Sequence, residues 1–208
     1  MCDKKPMILV LAGPNGSGKS TITQYFDIVG SYTNADDMVA STGMSNQEAA
    51  VLADEKRYKS ISLKEDFTFE TVLSSRYKLD ILEKAKSEEY FIKCVFVLTI
   101  DPSVNISRVA ARVASGGHNV EEDKIRSRYY KSIENIKKLL EICDIMHVYD
   151  NTYMPVRIIR KHKNELSIYP NELWTEKKLL NYLFKKLYAG SHQITMGTGF
   201  FCLKTLKI

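Results

Sequence analysis

Apolar residues in this chain fall into short dense runs separated by stretches with helical spacing. Residues 7–12 read Met-Ile-Leu-Val-Leu-Ala, and residues 92–100 read Ile-Lys-Cys-Val-Phe-Val-Leu-Thr-Ile. Runs of that density suit strands covered on both faces. Residues 145–149 form another. Residues 66–73, around Phe67-Thr-Phe-Glu-Thr-Val, predict a strand as well. A short strand over 31–35 is expected to end at Asp36-Asp37.

The intervening segments carry helix signals. A helix is expected from Lys19 to about residue 28. Ser45-Asn-Gln-Glu48 has the form of a capping box, opening a helix to about Lys64 with Ala49, Leu52, Ala53 and Lys56 near one face. Ser74 or Ser75 can cap a helix from Arg76 to about Glu89. Asp101-Pro102 is a good start for a helix over 102–114. Ser115-Gly-Gly-His-Asn119 interrupts it. Glu121-Glu-Asp123 then places acids in the first turn of a long helix to about Ile142. Strand and helix alternate throughout, which predicts an α/β fold with a five-stranded, mostly parallel sheet flanked by helices. Residues 156–163 and 166–169 fit a hairpin. A last helix is expected over 171–188, with Trp174, Tyr182 and Phe184 in its packing. One domain over 1–189 and a weakly ordered tail over 190–208 complete the outline.

Composition narrows this picture little. The 208 residues suffice for one domain with a full core, and the net charge of +5 suits polyphosphate ligands without implying nucleic acid. The basic stretch 157–163 reads as an edge strand with solvated charges. Cysteines at 2, 94, 143 and 202 lack metal-ligand spacing. Cys94 and Cys143 sit in apolar segments and are expected in the core. No secretory signal precedes the first strand, and no apolar run nears the ~20 residues that span a bilayer. A reducing cytoplasm is therefore the expected compartment, with no membrane association.

The chemistry is concentrated after the first strand. Residues 13–20 read Gly-Pro-Asn-Gly-Ser-Gly-Lys-Ser, a strand-to-helix P-loop of the form G-x-x-x-x-G-K-[ST]. Gly13, Gly16 and Gly18 let the backbone curl, so that amides around Pro14, Asn15 and Ser17 can point at phosphate oxygens. Lys19 is expected at the β- and γ-phosphates of ATP or GTP, Ser20 on Mg²⁺, and Thr21 in the same turn. Ligands of open α/β sheets bind beyond the carboxyl ends of the strands. That rule selects Asp36 and Asp37, Glu70 and Thr71, the loop around His118, and Asn151. Asp36 is the expected base for an acceptor hydroxyl, while Asp37 alternatively caps the next turn. Glu70 among Phe67, Phe69 and Val72 points to a substrate or metal-shell role. Arg108 and Arg112 share a helix face, and Arg126 and Arg128 lie beyond the double glycine. Arg112 and Arg128 thus flank a segment, 115–120, expected to act as a lid over phosphates.

Taken together, Leu11–Thr21, Asn34-Ala-Asp-Asp37, Phe69-Glu-Thr-Val-Leu-Ser74, Arg108–Val113, Gly116-Gly-His118 and Ile125–Tyr129 resemble the zeta-toxin-like P-loop kinases over residues 7 to 152. The resemblance implies Lys19 as phosphate-binding lysine, Asp36 as base, Glu70 as a ligand of the acceptor sugar, and Arg112 and Arg128 as lid arginines. It also implies phosphorylation of the sugar 3′-hydroxyl of UDP-N-acetylglucosamine, and an antitoxin-like protein partner. Two other readings stand beside it: a kinase for another hydroxyl, such as a polynucleotide 5′-end, and a nucleotide-dependent ATPase or switch acting through a partner.

Overall fold

The computed structural model describes residues 4–117 and 119–184. The expectations for His118, for Tyr182 and Phe184 as packing residues, and for the tail 190–208 fall outside the described residues and side chains. Strand β1 (Met7–Ala12) is central, hydrogen-bonded on one side to β3 (Phe67–Thr71) and on the other to β4 (Phe91–Leu98). The outer parallel strands are β2 (Ser31–Thr33), beside β3, and β5 (Ile145–Asp150), beside β4. The five predicted strands are therefore all present and parallel. The sheet itself is larger than predicted. The hairpin β6 (Val156–His162) and β7 (Glu165–Ile168) adds two antiparallel strands to β5, so the sheet has seven strands in the order β2-β3-β1-β4-β5-β6-β7. Ile158 and Ile159 are completely buried, which explains why the hairpin joins the main sheet.

Alternation along the strands divides the core. Phe67, Phe69, Ile92, Cys94, Phe96 and Met146 pack with Leu79, Leu82, Tyr129, Ile136 and Leu139. Those partners come from α4 (Arg76–Ser87), α6 (Glu122–Glu134) and α7 (Ile136–Ile142). On the other face Leu9, Leu11, Val95 and Val97 meet Ile22 of α1 (Lys19–Thr23). Cys94 and Cys143 are free thiols in this interior, as expected, and burial pushes the Cys94 thiol up. Trp174 is buried too, but it precedes α8 (Glu176–Phe184).

Several helices depart from the sequence reading. Helix α1 ends at Thr23, well before residue 28. Thr21, Ile22 and Thr23 are weak helix formers, and Tyr25 and Phe26 continue in i→i+3 turns. The segment after β2 is a full helix, α2 (Ala35–Thr42), which the strand reading missed. Asn34 caps it by accepting from the Asp36 amide at 3.0 Å, and Gly43 ends it in the left-handed region. The capping box at Ser45 and Glu48 opens α3 (Asn46–Leu63) as predicted. Its buried face, however, runs through Ala49, Ala53, Asp54, Arg57 and Ile61, leaving Lys56 exposed. The long helix predicted over 121–142 is split at Asn135, whose side chain donates to the Leu73 carbonyl at 2.8 Å. Helix α5 (Pro102–Ala114) starts on Asp101, whose carboxylate accepts from the Ser103 amide.

Candidate active site

The loop between β1 and α1 is shaped by contacts from distant elements. Gly18 sits at φ 78°, and a Cβ there would fall 2.2 Å from the Asn151 side chain. That side chain donates to the Ser17 carbonyl at 2.9 Å. A Cβ on Gly16 would lie 2.4 Å from the Asn105 carbonyl oxygen, so glycine is required at both positions. Asn105, fully buried on α5, donates to the Asn15 carbonyl at 2.6 Å and accepts from Thr99. Tyr129 donates to the Thr99 carbonyl at 2.6 Å and so ties α6 to the same support. Asn105, Thr99 and Tyr129 were not singled out from sequence. A polar Asn inside an apolar helix face was the available signal.

Inside the curled backbone, the Ser17 hydroxyl is buried with no hydrogen-bond partner among the described residues. An orphaned donor in a glycine-lined cradle fits a phosphate oxygen. With only five residues, α1 adds little helix dipole, so the loop amides and Lys19 carry this role. The Lys19 ammonium donates to the Gly13 carbonyl at 3.1 Å and pairs with Glu70 at 3.6 Å. Its pKa is lowered by burial, opposed by the charges of Glu70 and Asp36. Glu70 also accepts from the Tyr32 hydroxyl at 3.3 Å. Burial and the Glu70 charge push that phenol up to about 12.

Lys19 opens into a cleft of about 930 Å³. Asn15, Asp36, Glu70, Thr71, Arg112 and Arg128 all line it. Of the residues selected from sequence, these share one space with Lys19. Asp36 lies in the first turn of α2 with its carboxylate exposed, and the cap is made by Asn34 instead. Asp37, also in the first turn of α2, is exposed and is not among the residues that line the cleft. Ser20 and Thr21 are exposed at the start of α1. No cluster of three His, Cys, Asp or Glu able to hold a metal occurs among the described residues. The Ser20 hydroxyl, exposed at the start of α1, is a loop oxygen that would fit a Mg²⁺ ion, a metal that commonly keeps water and phosphate ligands.

The double glycine ends α5 and makes room for Arg112. Gly116 and Gly117 donate to the carbonyls of Val113 and Arg112 at 2.9 Å each, closing α5. A Cβ on Gly117 would fall 2.6 Å from Cγ of Arg112, so the missing side chain makes room for the arginine that lines the cleft. Arg128 donates to the Asn15 side chain at 3.3 Å. Arg108 donates to the Thr152 carbonyl at 2.9 Å, away from the cleft lining, and Arg126 is exposed near Asp101. Sequence reasoning also missed Arg57 and Lys78, which line the same cleft.

A central strand that leads into a P-loop, with β3 and β4 parallel on either side of it, defines an α/β P-loop fold. That fold resembles the zeta-toxin-like P-loop kinases. Among solved structures it is similar to a chain of the PezAT chromosomal toxin-antitoxin system of Streptococcus pneumoniae, with a TM-score of 0.55 and 16% identity over 75% of this chain and 72% of that one. It is also similar to a chain of the AvrRxo1-ORF1:AvrRxo1-ORF2 complex with sulphate ions, with a TM-score of 0.65 and 14% identity over 91% and 67%. That complex has been solved with ATP as well. By sequence, the chain is 27% identical over 123 residues to an uncharacterized protein of Haemophilus influenzae, covering 56% of this chain and 88% of the relative. No protein-family model matches. No described helix is long and apolar enough to cross a membrane.

Proposed function

We propose that this protein is a kinase that moves the γ-phosphoryl group of ATP, or GTP, to a hydroxyl of a small molecule. The observation that carries the reading is one cleft lined by Lys19, two carboxylates, Asp36 and Glu70, and two arginines, Arg112 and Arg128. Phosphoryl transfer needs positioning and charge stabilisation more than covalent help from the protein. The loop amides and Ser17 hold the phosphates. Lys19 neutralises charge at the β,γ-bridge. Ser20 would hold a Mg²⁺ ion, which would supply further neutralisation of phosphate charge. Arg112 and Arg128 face the oxygens of the transferring group, where a charged fork is most effective. Asp36 accepts the proton of the attacking hydroxyl, and Glu70 orients the acceptor. The ATP form of the AvrRxo1 complex supports the choice of nucleotide for this fold.

For the acceptor, the reading extends to a nucleotide-linked sugar, and UDP-N-acetylglucosamine is the first to test. It also includes a protein partner of the antitoxin kind, supported by the toxin-antitoxin system and the two-component complex that share the fold. Mass spectrometry of a mixture with ATP, Mg²⁺ and UDP-N-acetylglucosamine is expected to show the sugar nucleotide one phosphoryl group heavier. An unmodified sugar nucleotide beside a different phosphorylated hydroxyl would leave the kinase and remove this substrate. ATP binding with no acceptor phosphorylated would favour the switch reading instead.

A second expectation follows from Arg112 packing on Gly117. Adding Mg²⁺ and a non-hydrolysable ATP analogue should slow amide hydrogen exchange at Gly116, Gly117, Asn119 and Val120, because Arg112 becomes anchored on phosphate. Identical exchange in both states would argue against closure at this connection.

A further inference from the structure

The sheet face that receives Ile22 of α1 carries cations of its own. Strand register puts Lys93 of β4, His147 and Tyr149 of β5, and Arg157 and Arg160 of β6 on the side that bears Val95 and Val97. Arg157 and Arg160 are three residues apart and would fall on opposite faces of a regular strand. The register shift between Val148 and Tyr149 removes that conflict. Ile158 and Ile159 both enter the main core, while Arg157 pairs in register with Tyr149 and Arg160 with His147. Strand β6 is not the edge of the sheet either, since β7 lies outside it.

Rings and charges interleave on this face. Phe26, Tyr149 and His147 follow one another with ring centroids 6.4 Å apart at each step. Lys93 lies 5.3 Å over the Phe26 ring, and Arg157 lies 5.1 Å over the Tyr169 ring. Arg160 is exposed. The His147 Nδ1 and Arg157 Nε atoms have no hydrogen-bond partner, and no carboxylate pairs with Lys93, Arg157 or Arg160 among the described residues. Lys64, Arg76, Lys84, Lys86 and Lys138, by contrast, each have one. Burial, and then the charges of Arg157, Lys93 and Arg160, push His147 down to about 4. Like charges set side by side on a sheet are destabilising, so an anion settling here relieves a strain the chain leaves in place. Residues 185–208 do not supply it: they contain four lysines and neither Asp nor Glu.

We propose that this face, built from Lys93, His147, Tyr149, Arg157 and Arg160, binds single-stranded RNA. Carboxylates of a protein partner would complement the cations but leave the row of rings without a role. A single-stranded nucleic acid uses both, its phosphates on the cations and its bases against the rings. RNA fits better than DNA. A neutral imidazole among three cations offers a hydrogen bond without charge, and a ribose 2′-hydroxyl, which donates and accepts, complements it beside the phosphate. None of these residues lines the cleft that holds Lys19. The RNA is therefore a ligand of a separate surface and not the phosphoryl acceptor, and the proposal does not rest on the kinase reading.

The test is fluorescence anisotropy of a labelled single-stranded RNA of about 12 nucleotides, titrated with the full chain at several salt concentrations. Saturable binding that weakens with salt is expected. The double variant Arg157→Gln, Arg160→Gln should bind about tenfold or more weakly, the scale of lost charge-assisted hydrogen bonds. Its plot of log affinity against log salt should be shallower by about 1.4, the share of two phosphate contacts on a single strand. If the double variant does not fold, the exposed Arg160→Gln alone carries the comparison, with a melting curve as control. Binding should persist in the presence of Mg²⁺ and a non-hydrolysable ATP analogue, and DNA of the same sequence should bind more weakly. Absence of saturable binding, or equal affinity and salt slope in wild type and variants, overturns the proposal. Displacement of the RNA by the analogue overturns it too, because the RNA would then sit in the cleft. Equal binding of DNA removes the assignment to RNA, and tighter binding of an oligoglutamate would transfer the face to an acidic protein. Failure of the analogue to bind counts against the kinase reading alone, and the arginine comparison still decides the RNA face.

Discussion

Lys19→Ala is expected to lower phosphoryl transfer by about 10²-fold or more, the usual consequence of removing one strong electrostatic group from a phosphoryl-transfer site. The fold should survive. The ammonium donates to the Gly13 carbonyl and pairs with a partly exposed Glu70, and Glu70 keeps the Tyr32 hydroxyl as a donor. Loss of so small a set of contacts is worth about 1 kcal/mol of stability. The glycine-shaped backbone is braced by Asn105 and Asn151, neither of which depends on Lys19. A melting curve separates loss of function from loss of fold. A well-folded variant that turns over ATP and acceptor at a near-normal rate would end the kinase reading.

Asp36→Asn should abolish most transfer to the acceptor while Mg²⁺–ATP still binds. The structure makes this substitution cleaner than sequence alone suggested, because the cap of α2 belongs to the Asn34 side chain. The Asp36 carboxylate is exposed, so its structural share is limited to an interaction with the helix dipole of roughly 0.3–1 kcal/mol. A fall in kcat with little change in the KM for ATP is the expected signature of a lost proton acceptor. An unchanged rate would transfer the role to Asp37 or Glu70. A rate that falls only as the protein unfolds would make Asp36 structural.

What was legible in the sequence was mostly what neighbouring residues dictate to one another. The P-loop was visible because its turn demands glycine at fixed offsets after a buried strand, and β1, β3, β4 and β5 were visible as apolar runs. Helix α2 was equally local, with Asn34, Asp36 and Gly43 as its punctuation, but Ser31-Tyr-Thr-Asn-Ala35 read as a strand that ran on to Asp36. Arg57, Asp54 and Lys78 were illegible for a different reason. Helix α3 lacks a clean apolar stripe, and its buried charges make sense only when Thr33, Phe69 and α4 are brought against them. The sheet's size was underestimated because an antiparallel hairpin carries no signal for where its edge will dock. The close neighbour of Gly117, the Arg112 side chain five residues earlier, was likewise not visible from the glycine pair alone.

The central place of β1 has a consequence for how the protein is made. Met7–Ala12 has as its partners residues 67–71 and 91–96, and the loop that follows is held by Asn105, Arg128 and Asn151. During synthesis from the N-terminus, the phosphate-binding residues leave the ribosome before every partner that fixes them. Each contact that fixes them closes a long stretch of chain, the slow kind of step in folding. A nascent chain halted before Asn151 carries the whole P-loop sequence without a finished cradle. Nucleotide capture therefore waits in biogenesis until the chain has emerged through Asn151.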